Sequence, residues 1–410
     1  MKAREECILD AGTGPMTVRH LRLEGTNAEI GRALARIGRD RHGIDGDDLE
    51  LPPEIVQARR SFSEAHYPEL WARSEGVRSV FDADAPPDRL DAQTLRYNLP
   101  LPPEMRLEYG CSVAKARVHD GEDGRGEPNG PTDPTGRWLV SRNFDFTLRS
   151  FPEALGAKAD ELPAALRRPM MADPYVMEIY PSDGGIPALY LSSFDLLSGV
   201  IDGMNGAGLV VTLMHLLREP EEGRAVKPPQ VGLNELEVLR YLLDRCETAQ
   251  EAMEALTRHR PYTAWIPCQY LVTDASGTSF IFVPSEEETH FEIEAAGPQF
   301  CTNHGPGFER PIGDDGLDAQ LESSLERLEI LRTGIAHDRP TTEEDVRKAA
   351  RKAFRTSVEE DDDRLIGATL WHALYEPEAR RLRVAFLEQW TLEEHRATYT
   401  PYFHFSLDPA

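Results

Sequence analysis

Cys111, set between Gly110 and Ser112 and followed thirty-one residues on by Arg142-Asn143-Phe144-Asp145, joins a potential nucleophile to two charged partners. A cysteine is a few per cent thiolate at neutral pH and strongly nucleophilic in that form. It attacks a carbonyl once a base and an oxyanion site stand near it. The chemistry this favours is the processing of an amide. Gly110, with no Cβ, predicts a strained turn in which the Cys111 sulfur approaches the carbonyl before it. Such an approach is what an intramolecular N-to-S acyl shift needs, and that shift cuts the chain before Cys111.

Three further stretches carry polar groups that chemistry can use. Asp202-Gly203-Met204-Asn205, ahead of Gly208-Leu209-Val210-Val211, reads as a tight turn entering a buried strand. A side-chain amide or backbone N–H there can face a developing oxyanion, although Asn and Gly are also the residues an ordinary hairpin turn takes. Cys301-Thr302-Asn303-His304 ends a predicted strand, and His304 offers a second way to activate Cys111, as the base of a papain-like dyad. Arg327 follows Ser323-Ser324-Leu325-Glu326 on a predicted helix, where a surface Ser/Glu/Arg face is the alternative reading. Five cysteines without a CxxC spacing and twelve histidines without HExxH or HxH predict neither a disulfide framework nor a metal site, and no cofactor is expected.

The elements that must position these residues follow from periodicity. Residues 17–24 alternate as a strand. Thr26 and Glu29 then form a capping box that opens a helix over about 27–38. A second helical stretch, about 53–80, starts at Pro52-Pro53 and is broken by Pro68, so the first 110 residues are expected to be largely helical. Cys111–Val118 and Trp138–Phe146 read as a long hairpin across the polar loop 120–136. Strands are predicted at 175–180, 188–193 and 208–214, and helices at about 234–245 and 249–258, the second opened by a capping box from Thr248 to Glu251. Asp274-Ala275-Ser276-Gly277 is a hairpin turn between strands 268–274 and 278–283. Further strands at 289–294 and 299–302, helices near 317–333 and 342–355, and a final strand pair at 368–375 and 381–388 complete the pattern. Helices and strands fall in separate runs, which predicts packed layers with antiparallel sheets rather than βαβ units.

With 410 residues and 40% hydrophobic content the chain can bury a sizeable core. A net charge of −26 with no sustained basic run argues against nucleic acid as a partner. The first twenty residues lack the apolar stretch of a signal peptide, and no window reaches the roughly eighteen apolar residues of a membrane span. The expectation is a cytoplasmic protein with no membrane partner. The aromatic carboxyl end, with Trp390, Tyr399, Tyr402, Phe403 and Phe405, suits core packing, the lining of an acyl site or a homo-oligomer contact.

Taken in order, Glu29-Ile30-Gly31, Tyr67-Pro68-Glu69-Leu70, Gly110-Cys111-Ser112, Arg142-Asn143-Phe144-Asp145, Asp202-Gly203-Met204-Asn205, Asp274-Ala275-Ser276-Gly277, Thr302-Asn303-His304 and Ala368-Thr369-Leu370-Trp371 through Tyr375 resemble the Ntn hydrolases related to choloylglycine hydrolase. More closely, they resemble the C45 peptidase group that includes penicillin acyl-CoA:6-aminopenicillanate acyltransferase. The resemblance implies an α+β fold, a four-layer αββα sandwich with two stacked antiparallel sheets. It implies a precursor that cleaves itself between Gly110 and Cys111 into an N-terminal α chain, 1–110, and a catalytic β chain, 111–410, which stay associated as one domain. Cys111 would then carry a free α-amine, whose reference pKa of about 7.7–8.0 suits a general base at neutral pH.

By the same resemblance Arg142 orients the thiolate or substrate, Asp145 binds the α-amine, Asn205 is an oxyanion-hole candidate, Asn303 polarises the carbonyl or holds the thiol, and Arg327 supports the nucleophile. Residues 143 and 145 of a strand share one face while 142 points to the other. Bringing Arg142 and Asp145 to one site therefore predicts a bulge or a strand end there; the alternative is an Arg–Asp surface pair. The substrate implied is a small-molecule linear amide or acyl thioester, its acyl group passing through a Cys111 thioester to water or to an amine. The loop 120–136 and the Pro- and Ala-rich stretch 149–173 are longer than the family pattern and are expected to border the pocket. The competing readings are a papain-like Cys–His hydrolase without chain cleavage and a non-catalytic binding protein on the same fold.

Overall fold

The computed structural model of the chain describes residues 1–10, 12, 14–81, 86–95, 109–119, 136–158, 161, 168–193, 195–217, 230–284, 290–305, 319–335, 340–359, 364–391 and 396–407. The loop predicted at 120–136 lies outside them but for its last residue, as does part of the 149–173 stretch.

The amino end forms β1 (Lys2–Leu9) and β2 (Val18–Gly25), then α1 (Asn27–His42), α2 (Pro53–His66) and α3 (Pro68–Phe81). The hairpin β3 (Gly110–Val118) and β4 (Arg137–Thr147) follows, then the short α4 (Phe151–Ala154). Next come β5 (Tyr175–Pro181), β6 (Ala188–Ser192), β7 (Asp202–Asn205), β8 (Val210–His215), α5 (Glu237–Arg245) and α6 (Ala249–Arg258). β9 (Cys268–Thr273), β10 (Ser279–Val283), β11 (His290–Glu294), β12 (Gln299–Cys301), α7 (Ala319–Ile335) and α8 (Glu343–Lys352) lead to the carboxyl-terminal strands β13 (Thr356–Val358), β14 (Leu365–Glu376), β15 (Arg381–Thr391), β16 (Arg396–Tyr399) and β17 (Phe403–Ser406).

Two sheets result. One runs β1-β2-β5-β6-β7-β8-β9-β10-β11; the other runs β12-β3-β4-β14-β15-β16, with β13 beside β14 and β17 beside β15. Their inner faces bury one continuous apolar core, which includes Val113, Phe144, Val210, Met204 and Trp371. α1 and α5 pack on the strands of the first sheet, and α7 and α8 on β3 and β4 of the second. The fold is the α+β αββα sandwich with two stacked sheets, antiparallel throughout except where β2 pairs in parallel with β5.

Among the first 110 residues the strand expected at 17–24 is β2 and three helices follow it, whereas β1 was not foreseen. β1 and β2 are strands of the larger sheet, and the alternating charges of Lys2–Glu6 hid β1 because both of its faces are exposed, leaving no apolar period to read. β7 was likewise read as a turn because it is only four residues long.

The caps were legible. Thr26 and Glu29 form the complete capping box of α1, which runs four residues beyond the predicted end to a left-handed Gly43. Thr248 caps α6, but the Glu251 carboxylate accepts from the Glu247 N–H rather than closing the box. α1 and α3 touch through glycines: a Cβ on Gly31 would lie 2.0 Å from the Arg73 carbonyl oxygen, and one on Gly76 would lie 2.0 Å from that of Ala28. Contact that close is open only to residues without a side chain.

Candidate active site

β3 and β4 pair without a break in register, with Gly110 opposite Asp145, Cys111 opposite Phe144 and Val113 opposite Arg142. Neighbours directly across a ladder share a face, so Cys111 and Arg142 project to one side of the sheet and Asp145 to the other. The bulge expected in Arg142–Asp145 is therefore absent from β4. It lies instead on β14, where the register shifts between Thr369 and Trp371. Arg142 meets the thiol on the inner face, and Asp145 approaches the Gly110–Cys111 backbone from the outer one.

The Cys111 Sγ is buried, 3.3 Å from Arg142 Nη2. Arg142 is held by the carbonyls of Asn143 and Leu213, and its Nε lies 3.8 Å from Asp202 Oδ2, an ion pair rather than a hydrogen bond. Burial works against its charge, yet Cys111 and Asp202 outweigh that and hold the guanidinium above its ordinary pKa. Asp202 in turn accepts from Trp371 Nε1 at 3.1 Å and from the Tyr375 hydroxyl. Burial raises its pKa, and Arg142 partly restrains the rise.

The backbone of Cys111 is gripped as tightly as its side chain. Its N–H donates to Asn303 Oδ1 at 2.6 Å, and its carbonyl accepts from Arg327 Nη1. Arg327 Nη2 also donates to Asn303 Oδ1 at 2.8 Å, while Asn303 Nδ2 donates to the His215 carbonyl at 2.8 Å. The Asn303 N–H donates to Ser324 Oγ on α7, which fixes the end of β12 to the helix that supplies Arg327.

On the outer face Asp145 Oδ1 accepts from Thr369 Oγ1 at 2.7 Å, and its Oδ2 is buried without a hydrogen-bond partner. Burial lifts the Asp145 pKa to about 6, against the pull of Arg327, the Thr369 bond and Arg142. Burial likewise pulls Arg327 below its usual value.

Gly110 opens β3 as an ordinary strand residue with no left-handed φ, which corrects the strained turn read from the sequence. Space explains the glycine instead: a Cβ would stand 3.1 Å from Asp145 Oδ2 and 3.3 Å from Arg327 Nη2.

Five of the six sequence candidates therefore converge, namely Cys111, Arg142, Asp145, Asn303 and Arg327. Asn205 does not. It lies three residues along β7 from Asp202, on the opposite face. Its Nδ2 donates to the Leu243 and Cys246 carbonyls at the end of α5, and its Oδ1 accepts from the Ala207 and Leu209 N–H groups. That uses the whole hydrogen-bonding capacity of the amide, leaving none for an oxyanion. His304 Nδ1 lies 2.8 Å from Ser324 Oγ, and among the described residues no hydrogen bond joins the ring to Cys111. Burial, with Arg327 and Arg332 nearby, lowers its pKa to about 4.

Sequence reasoning missed Asp202 and Thr369 as members of the site, although both stand in quoted motifs. The signal was a polar side chain near apolar strand residues, Met204 for Asp202 and Leu370-Trp371 for Thr369. Among the described residues no three His, Cys, Asp or Glu side chains converge as a metal ligand set, and no helix is long and apolar enough to cross a membrane.

Residues 178–389, more than half of the chain, match the family described as acyl-coenzyme A:6-aminopenicillanic acid acyl-transferase. The chain belongs to that family. The matched segment holds Asp202, Asn303, Arg327 and Thr369 of this acyl-transferase-family chain, whereas Cys111–Asp145 precede it.

Solved structures similar to it include a mutant of conjugated bile acid hydrolase from Clostridium perfringens, at 13% identity and TM-score 0.42 over 73% of this chain and 97% of that one. Penicillin V acylase from Agrobacterium tumefaciens is 14% identical, with TM-score 0.40 over 70% and 86%. The Caenorhabditis elegans ortholog of N-acylethanolamine-hydrolyzing acid amidase is 12% identical, with TM-score 0.37 over 65% and 93%. No curated protein matches the chain in sequence. The family places it among the Ntn hydrolases, with amide hydrolysis or acyl transfer as its activity.

Proposed function

We propose that this protein is a self-processing N-terminal-cysteine enzyme that cleaves a linear amide, or transfers its acyl group, through a thioester on Cys111. The observation that carries this reading is the threefold grip on Cys111: Arg142 at its sulfur, Asn303 at its nitrogen and Arg327 at its carbonyl.

In self-processing the Cys111 sulfur attacks the Gly110 carbonyl carbon, the Gly110–Cys111 C–N bond breaks, and the thiol proton passes to the departing nitrogen. Water then hydrolyses the thioester, leaving a carboxylate on Gly110 and an amine on Cys111. The α and β fragments so formed stay together, because β1 and β2 are strands of the same sheet as β5 to β11.

In turnover the amine takes the thiol proton as general base, and the sulfur attacks a small-molecule amide or acyl thioester. The amine or thiol of the substrate leaves with that proton. Water or an acceptor amine resolves the acyl-enzyme. Arg142 faces the sulfur as a fixed cation in a dry setting, where its charge counts for more than in water. Asp145 Oδ2, unpaired beside Gly110, is placed to receive the new ammonium group.

The papain-like reading is less well supported, since His304 Nδ1 engages Ser324 rather than the thiol.

Intact mass of the denatured wild type tests the proposal. Two pieces, the longer beginning at Cys111, are expected, with Cys111→Ala staying whole at 46.0 kDa and His304→Ala still cleaved. An uncleaved wild type that turns over amides would overturn self-processing.

A further inference from the structure

Asp145 is one of four sequence candidates gathered at Cys111, yet what aims its carboxylate is a defect in another strand. β14 is regular against β4 from Tyr375 to Trp371 and shifts register before Thr369, with Leu370 as the extra residue. In an unbroken strand Thr369 and Trp371, two apart, would share a face. Trp371 lies opposite Phe144 and stacks on it at 4.1 Å, on the inner side. The bulge turns Thr369 to the outer side, opposite Asp145, as bulges beside active sites do when they re-aim one side chain.

There the Thr369 hydroxyl is fully committed. It accepts from the Arg355 N–H at 2.9 Å and donates to Asp145 Oδ1 at 2.7 Å. Its own N–H donates to the Arg355 carbonyl at 3.0 Å, and its carbonyl accepts from the Tyr399 hydroxyl at 3.0 Å. A hydroxyl has one proton. With one lone pair taken by Arg355, that proton is directed at Asp145.

We infer that Thr369 is the positioning residue of Asp145: its hydroxyl holds one carboxylate oxygen and thereby presents the other, Oδ2, to the amine that self-processing creates on Cys111. The inference rests on the reading of Cys111 as an N-terminal nucleophile. It adds that the carboxylate is kept ionised and oriented by a neutral donor from a separate strand. The groups acting on Asp145 are Arg327 from α7, Arg142 from β4, Arg355 from the turn after α8 and the Tyr399 hydroxyl from β16. A hydrogen bond to the charged form favours that form, so its loss lets burial push the proton back on to Asp145.

The test compares wild type, Thr369→Ser and Thr369→Val after processing, following alkylation of Cys111 by iodoacetamide against pH by the mass of the longer fragment. Thr369→Ser keeps the donor and is expected to retain the wild-type acid limb. Thr369→Val keeps the shape alone. Its acid limb moves up by about one to two units, and its rate at pH 6 falls roughly tenfold or more, while its far-UV circular dichroism matches that of Thr369→Ser.

A merely structural role would alter both variants' stability without moving the limb. Coincident limbs for valine and wild type, or a serine variant that behaves like valine, would overturn the inference. A wild type that is not cut before Cys111, or whose Cys111 does not react at any pH, would instead overturn the underlying nucleophile reading, and is recognised by that result in the unsubstituted protein.

Discussion

Replacing Arg142 by Gln separates what this arginine does for the thiol from what it does for the fold. The side chain is wholly buried between Cys111 Sγ at 3.3 Å and Asp202 Oδ2 at 3.8 Å, so its removal takes one cation from both the sulfur and the carboxylate. Breaking a buried ion pair from one side costs about 3–5 kcal/mol. The lower end applies here, because Asp202 keeps its bonds from Trp371 and Tyr375.

Burial already holds Asp202 above the usual carboxylate range, and without Arg142 it rises further. A carboxyl whose folded-state pKa is raised loses stability as pH climbs from its unfolded value through the folded one. The deficit thus grows as pH rises and shrinks in acid. At the sulfur, a charge-assisted hydrogen bond of about 1.5–3 kcal/mol is lost, or roughly a ten- to 150-fold slower self-cleavage.

Urea unfolding in a Cys111→Ala background, where the chain stays whole, reads the first quantity. Intact mass against time after refolding reads the second. Adding Asp202→Asn neutralises the orphaned carboxylate, so the double variant is expected to regain most of the stability and none of the cleavage. Recovery of cleavage in the double variant would refute the argument, since Arg142 would then act only through the fold.

Three other outcomes follow from the geometry. Asp145→Asn is expected to abolish turnover and yet to unfold later than wild type at pH 8: with a pKa of about 6, the carboxylate favours the folded state in acid and weakens it as pH rises from the ordinary value through 6. A gain of about 1–3 kcal/mol in urea, absent at pH 4, checks it. Asn205→Ala strands two carbonyls at the end of α5 and two N–H groups at the β7–β8 turn and is expected to cost about 2–4 kcal/mol while leaving the cleavage rate of the folded protein within a few-fold; a large loss of rate at full folding would restore Asn205 to the chemistry. Gly31→Ala drives a Cβ to 2.0 Å from the Arg73 carbonyl oxygen and is expected to cost more than about 3 kcal/mol by parting α1 from α3, measured by urea unfolding.

Much of the fold was legible because it was written locally. Short apolar runs bounded by turn residues marked β3, β4, β9 and β10, and Thr26 with Glu29 marked the start of α1 through a bond that spans three residues. β1 and β7 escaped notice for local reasons as well: one has no buried face and the other only four residues.

The site divides in the same way. The sequence by itself determined which groups could act: a cysteine after a glycine, a cation and a carboxylate three residues apart, and an asparagine at a strand end. It could not determine which of them meet, because that depends on register between strands distant in the chain. Cys111 and Asn303 are 192 residues apart, and Asp145 and Thr369 are 224 apart. Period-2 reasoning correctly put Arg142 and Asp145 on opposite faces of β4; the bulge expected there came from the roles that the resemblance gave both residues at one site. The tertiary structure brings them to Cys111 from both sides of the sheet, and it places a bulge of β14 where the Thr369 hydroxyl is turned towards Asp145. Asn205 shows the converse: a residue of the right type in a promising motif, sent to the other face of β7 by one-residue alternation and consumed there by the end of a helix.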